Sequence, residues 1–156
     1  MEAAQWEVRQ AALHALAQIA EKGNAAAITA VASCLTDATK EVRQAAVNAL
    51  AQIAEKGNAD AIAAVSAHLE DAEWNVRRAA VLALAQMTEK GDADAITAVS
   101  ARLQDVSEYV RRAAVAAFAQ IAERGNADAI EAVSARLVDP NFDVRRAAEQ
   151  ALVQMA

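Results

Sequence analysis

Arginine pairs are the most regular chemistry in this chain. Arg77/Arg78, Arg111/Arg112 and Arg145/Arg146 recur at intervals of 34 residues. A row of guanidiniums spaced this way could hold phosphates or an acidic peptide. An aspartate stands six residues before the first member of each pair, as Asp71, Asp105 and Asp139, and Asp37 precedes Arg43 in the same way. That leaves two readings open. Either the pairs form a basic stripe, or the first arginine is neutralised by its aspartate and the second (Arg78, Arg112, Arg146) is solvated. Catalytic and metal-binding patterns are thinner. His14 and His68 lie 54 residues apart, and His68 occupies the position taken by Cys34, Arg102 and Arg136 in other segments. That slot reads as polar and exposed, and a Cys34–His68 site would have to span one repeat step, roughly 10 Å between packed helices. No Gly-rich phosphate loop and no Ser-His-Asp arrangement is present. The residues therefore point to a binding protein without catalytic, cofactor-binding or metal-binding residues, rather than to an enzyme.

The elements that carry these residues follow from an internal repeat. Val8, Val42, Val76, Val110 and Val144 are each 34 residues from the next, and each is followed by Arg. Asn58–Gly91 and Asp92–Gly125 share 21 of 34 positions without a gap. Self-similarity at this period is the signature of stacked helical hairpins. The divisions are a half repeat at 1–23 and repeats at 24–57, 58–91, 92–125 and 126–156, all in one domain spanning 1–156.

Each repeat holds two amphipathic helices. Ile62, Val65 and Leu69 form one apolar stripe, copied as Ile28/Val31/Leu35, Ile96/Val99/Leu103 and Ile130/Val133/Leu137. Asn58 is placed to cap this first helix, just after Gly57 at the end of the previous one. The second helix is expected from about Ala72 to Lys90, with Val76, Ala79, Ala80, Ala83, Leu84 and Met87 on its buried face. Asp71 reads as its N-cap, Pro140 as a first helical residue in the last copy, and Gly91 as its terminator. The fold class is all-α: an α-solenoid of about nine helices, beginning with a lone second-type helix.

The motif Asp-x-x-x-x-Val-Arg, at Asp37–Arg43, Asp71–Arg77, Asp105–Arg111 and Asp139–Arg145, resembles a HEAT repeat. Val-Arg-x-Ala-Ala resembles the compact HEAT-like subtype of bilin lyase subunits and artificial HEAT-like scaffolds. The tetratricopeptide alternative lacks its Trp, Leu-Gly and Tyr landmarks. The resemblance implies a ladder in which Asp37, Asp71, Asp105 and Asp139 bond Arg43, Arg77, Arg111 and Arg145. It also implies a concave surface lined by second helices. Where many HEAT repeats have a kinking proline, this chain has Thr29, Ala63, Thr97 and Glu131, so straight first helices are expected.

Positions that vary between the copies are the candidate binding surface. Two before the valine stand Trp6, Lys40, Trp74, Glu108 and Phe142, and one before it Tyr109 replaces Glu7, Glu41, Asn75 and Asp143. Six after it stand His14, Asn48, Leu82, Ala116 and Gln150. Helical geometry puts these on the unburied side with Arg78, Arg112 and Arg146. Large aromatics beside arginine have the character of interface hot spots. The alternative is that Trp6, Trp74 and Phe142 cover their own helix entry as local packing. The leading function is protein or peptide binding on the concave face. Other readings are a synthetic or consensus-like scaffold without a natural ligand, and nucleic-acid or phosphate binding by the arginines. A bilin-lyase-like activity has least support.

Composition sets the remaining bounds. The chain is 56% hydrophobic and only 3% aromatic, with four Gly and one Pro, so short loops and high helix content are expected. The net charge of −6 argues against nonspecific nucleic-acid binding. The longest apolar run in a regular repeat, Ala79–Ala85, is far short of the ~18 residues of a membrane span, and MEAAQWEVRQ lacks a secretory h-region. One cysteine fits an intracellular, cytoplasmic setting. The terminal helices carry the interior apolar stripe, so self-association through uncapped ends is expected.

Overall fold

The computed structural model describes residues 2–156, with side chains from residue 5 onward; Met1 of the half repeat lies outside the described residues. Among them are nine α-helices and no strand: α1 (Glu2–Ile19), α2 (Ala25–Ser33), α3 (Lys40–Ile53), α4 (Ala59–Ser66), α5 (Trp74–Met87), α6 (Ala93–Ser100), α7 (Glu108–Ile121), α8 (Ala127–Ser134) and α9 (Phe142–Met155). The α-solenoid is what the period of 34 and the two alternating stripes require.

The short even-numbered helices begin as the sequence indicates. Asn24, Asn58, Asp92 and Asn126 each accept, through Oδ1, the backbone N–H three residues on, at 2.9–3.0 Å. After eight or nine residues the α-helix tightens into a 3₁₀ turn, such as Ala67–Glu70 after α4. The α-helical part is unbroken, as the missing proline led one to expect, but the whole first element is not one regular helix. The turn carries Leu35, Leu69 and Leu103 into the core.

The second helices are shorter than the stripe predicts, and both ends have a cause. Asp71 does not cap α5. Its Oδ1 accepts the N–H of Glu73 at 3.0 Å, an Asx turn that bends the chain before the helix begins at Trp74. Asp37, Asp105 and Asp139 repeat it. Pro140 sits in that bend, and the cap of α9 is Asn141, which accepts from the N–H groups of Asp143 and Val144. At the other end α3 stops at Ile53, because Ala54 is extended (φ −74, ψ 143). Gly57 therefore does not terminate α3. At φ +83 it turns its own N–H onto the carbonyl of Met87, the last residue of the next second helix, at 2.7 Å. Gly23, Gly91 and Gly125 do the same for Ile53, Ile121 and Met155. Each turn thus satisfies a helix-end carbonyl one repeat further on.

The odd-numbered helices pack directly on one another along the stack, whereas the even-numbered ones barely touch one another. The odd-numbered helices therefore form one continuous packed layer along the stack. Val42, Val76, Val110 and Val144 are fully buried, as are Leu50 and Leu84. The two ends differ. Val8 and Ile19 of α1 are 68% and 78% exposed, while their counterparts Val42 and Ile53 are 0% and 1% exposed. At the opposite end, Glu149 of α9 stands exposed in the slot that Leu13, Val47, Val81 and Val115 fill as buried residues. The stripe itself is repeated at the carboxyl end, from Val144 to Met155, and Glu149 stands outside it.

Candidate functional site

The Asp–Arg ladder exists, but it is connected differently from the expected pairing. Arg43 donates Nε and Nη2 to Asp71 at 2.9 and 3.0 Å, not to the side chain of Asp37. Arg77 reaches Asp105 in the same bidentate way at 2.9 and 2.9 Å, and Arg111 reaches Asp139 at 3.0 and 3.1 Å. Asp37 is held by Arg9, a rung that the sequence pairing omitted. Within its own repeat each arginine gives only Nη1, to backbone carbonyls: Arg43 to Asp37, Arg77 to Asp71 and Arg145 to Asp139. The arginine sits one position after the buried valine and faces forward along the stack. The near aspartate has meanwhile turned its carboxylate away to close the Asx turn.

Each carboxylate is gripped from several directions. Burial alone would push the Asp105 carboxyl up, but hydrogen bonds from Arg77 and the Ser107 N–H hold it below the ordinary carboxylate value. Asp71 and Asp139 are held down against burial in the same way, by Arg43 and Arg111. At Asp37 the Arg9 hydrogen bond is the largest influence. The Asp71 carboxylate in turn raises Arg43.

The slot of His68, Arg102 and Arg136 is not the free surface expected of it. Arg102 donates to the carbonyl of Leu69 at 3.0 Å and to Asp105, and Arg136 to Leu103 at 3.2 Å and to Asp139. His68 Nδ1 lies 3.4 Å from Asp71. These side chains brace the ladder. Cys34, in the same slot, is half-buried as a free thiol. Among the described residues there is no cluster of three or more His, Cys, Asp or Glu that could hold a metal ion.

On the open face of the odd-numbered helices most of the variable positions are exposed. Trp74 and Tyr109, from the first turns of α5 and α7, stack with centroids 4.7 Å apart and planes at 27°, and remain 42% and 50% exposed. Such a stack ties two repeats together and still presents aromatic surface. Beside it, Arg78, Leu82, Tyr109 and Arg112 line a cleft of ≈ 180 Å³. A second cleft of ≈ 260 Å³ continues between α7 and α9, lined by Arg112, Ala116, Gln120, Gln150 and Gln154. Arg78, Arg112 and Arg146 are exposed and form no ion pair or hydrogen bond among the described residues. Phe142 is exposed, with the Arg145 guanidinium 5.8 Å from its ring centre. Trp6 is half-buried against the core, the local-packing alternative, and His14 lies exposed on the same helix, α1. The structure brings Trp74, Arg78, Leu82, Tyr109 and Arg112 together; Trp6 and His14 are two second-type helices before α5, and Phe142 and Arg146 lie on α9, outside the Trp74–Tyr109 cleft.

A further row of exposed residues repeats with the same period on the second helices. Gln18, Gln52, Gln86, Gln120 and Gln154 occupy the tenth position after the valine in all five second helices. All are exposed, and none makes a side-chain hydrogen bond. Their spacing of 34 was visible, but a lone exposed glutamine reads as solvated surface.

With this geometry in place, comparison with known proteins defines the class. The chain belongs to the HEAT-repeat family, which it matches over residues 1–85, 33–119 and 98–156. No curated protein matches it. Among solved structures it is similar to a designed armadillo repeat protein in complex with the peptide (KR)4, at 26% identity over 96% of this chain and 76% of that one, with a TM-score of 0.69. It is also similar to computationally designed armadillo repeat proteins for modular peptide recognition, at 29% identity over 93% of this chain and 74% of that one, TM-score 0.65. The complex of CpcE and CpcF of phycocyanin lyase from a Nostoc species shares the fold, at 21% identity over 90% of this chain and 86% of that one, TM-score 0.70. No helix among the described residues is long and apolar enough to cross a membrane.

Proposed function

We propose that this HEAT-repeat chain is a peptide-binding scaffold that uses the groove of its second helices, with repeats 58–91 and 92–125 at the centre of the site. The observation that carries this reading is the exposed Trp74–Tyr109 stack beside Leu82 and two arginines without partners. Rigid aromatics that are exposed in the free protein bury large area on binding, and Arg adds orientation. Similarity to designed proteins made for peptide recognition supports the same use of the fold. Phe142 and Arg146 would extend the site toward α9, and Trp6 and His14 would lie at its far edge. The ladder residues hold the repeats in register and take no part in contact. The setting we infer is intracellular.

The test is affinity for peptides selected against the wild-type protein from a displayed random library. Trp74→Ala and Tyr109→Ala should each weaken binding at least tenfold, about 1.4 kcal/mol. Thr97→Ala and Glu131→Ala, exposed on the first helices, serve as controls and should change it little. Arg102 and Arg136 are unsuitable controls because they brace the ladder. Equal effects of the two sets would move the interface off the groove.

A further inference from the structure

The groove has a chemical preference that follows from which of its charges are already satisfied. The ladder neutralises Arg9, Arg43, Arg77 and Arg111 against four aspartates. By contrast Arg78, Arg112 and Arg146, two positions after the valine in successive second helices, are exposed cations whose side chains have no partner among the described residues. The first two helices of the series carry Gln10 and Gln44 there instead. A chain of net charge −6 thus keeps a cationic row on one face, from α5 to α9. Glu108 and Asp143 stand one turn earlier on the same helices, yet form no ion pair with Arg112 or Arg146.

The glutamine row adds a second specification. Around it the groove varies from repeat to repeat, while this position does not, and neither packing nor capping accounts for an exposed, unbonded side chain kept five times. A carboxamide offers donors and an acceptor, the same set as a peptide group. Packed helices stand about 8–10 Å apart and an extended chain advances about 3.3 Å per residue. One glutamine therefore falls opposite roughly every third residue of a strand laid across the helices. Arg112, Ala116 and Gln120 share one cleft, so a single segment can meet both rows.

We infer that the groove takes an extended, acidic segment of another polypeptide, its carboxylates over Arg78, Arg112 and Arg146 and its backbone along the glutamine row. This rests on the peptide-binding reading above and gives it a ligand class. A nucleic acid fits less well. Trp74 and Tyr109 are already stacked on each other, leaving no gap between them for a base.

The experiment selects a phage-displayed random 12-residue library against the folded full chain, with counter-selection on the Trp74→Ala/Tyr109→Ala variant. Enriched sequences should be rich in Asp and Glu. Their affinity should fall at least tenfold in Arg78→Gln/Arg112→Gln and several-fold in Gln86→Ala/Gln120→Ala. All four substituted side chains are exposed, and thermal melts verify that each variant is folded. Enrichment of basic or uncharged sequences that still depend on Trp74 and Tyr109 would overturn the acidic inference and leave the groove reading standing. Acidic sequences indifferent to the glutamine pair would overturn the backbone contact. Displacement of the selected peptides by a single-stranded oligonucleotide at lower concentration than by free acidic peptide would replace the inference with nucleic-acid binding. Equal recovery on wild type and on the aromatic double variant would overturn the groove reading itself.

Discussion

At the scale of the residue, the ladder shows how burial sets what an ion pair is worth. The side chains of Arg77 and Asp105 are 10% and 2% exposed, and those of Arg9 and Asp37 38% and 13%, with the same bidentate geometry. Removing one partner of a buried pair leaves a desolvated charge uncompensated and costs about 3 kcal/mol or more, whereas an exposed pair is worth about 1 kcal/mol or less. Arg77→Ala should therefore lower the melting temperature several times more than Arg9→Ala, and matching losses would show that burial does not grade the rungs. The same carboxylates predict a pH dependence. Their folded pKa values lie below the ordinary range, so on acidification the unfolded chain takes up protons first. The stability they contribute is fully present above about pH 4 and is lost as pH falls through the folded values. The melting temperature should be level near neutrality and drop below about pH 4. Asp105→Asn should be less stable at pH 7 and show a shallower acid decline.

At the scale of the element, the turn glycines separate what was legible in the sequence from what was not. Their recurrence marked the repeat boundaries, and Asn58 and its equivalents were readable as caps because capping is local chemistry. The partner of the Gly57 N–H was not readable, since it lies thirty residues on at Met87. The ladder misled for a related reason. Asp71 is six residues from Arg77 and twenty-eight from Arg43, and sequence distance favours the wrong one. The stripes fixed the helices and their buried faces, but not their ends, because the Asx turn and the extended Ala54 interrupt a pattern that periodicity continues. The groove aromatics could be placed on the open side, while their mutual stacking needed the offset between α5 and α7. The backbone role of the glycines is testable at Gly57, where an added Cβ would meet nothing within 4 Å. Any loss there is conformational. Gly57→Ala should cost about 1–2 kcal/mol, and Gly57→Asn distinctly less, because Asn tolerates the left-handed region. Equal losses measured by chemical denaturation would point to some other cause.

At the scale of the whole molecule, a stack in which each repeat touches only its neighbours has a stability that is local, and its two ends need not match. The face of α1 that carries Val8, Ala12, Ala15 and Ile19 is exposed, whereas Val42, Ala46, Ala49 and Ile53 on α3 are no more than 1% exposed. Helix α1 is held against the core through Trp6, Leu13, Leu16 and the Arg9 rung. α9, with Glu149 in the outward slot, meets solvent with a carboxylate where the interior has valine. Ile19→Ala should therefore stay within about 0.5 kcal/mol of wild type, while Ile53→Ala, the same substitution one repeat inward, should cost about 2–5 kcal/mol. Hydrogen exchange should be fastest in α1 and slowest in α3, α5 and α7, the second helices with neighbours on both sides. The exposed apolar row also gives the expected self-association a location. Sedimentation over a wide range of protein concentration should show association that Val8→Glu/Ile19→Glu removes and Val153→Glu on α9 does not. Association that persists in the first variant would shift the contact away from α1, and a strict monomer with α1 as protected as α5 would show that one neighbour suffices to hold a helix of this stack.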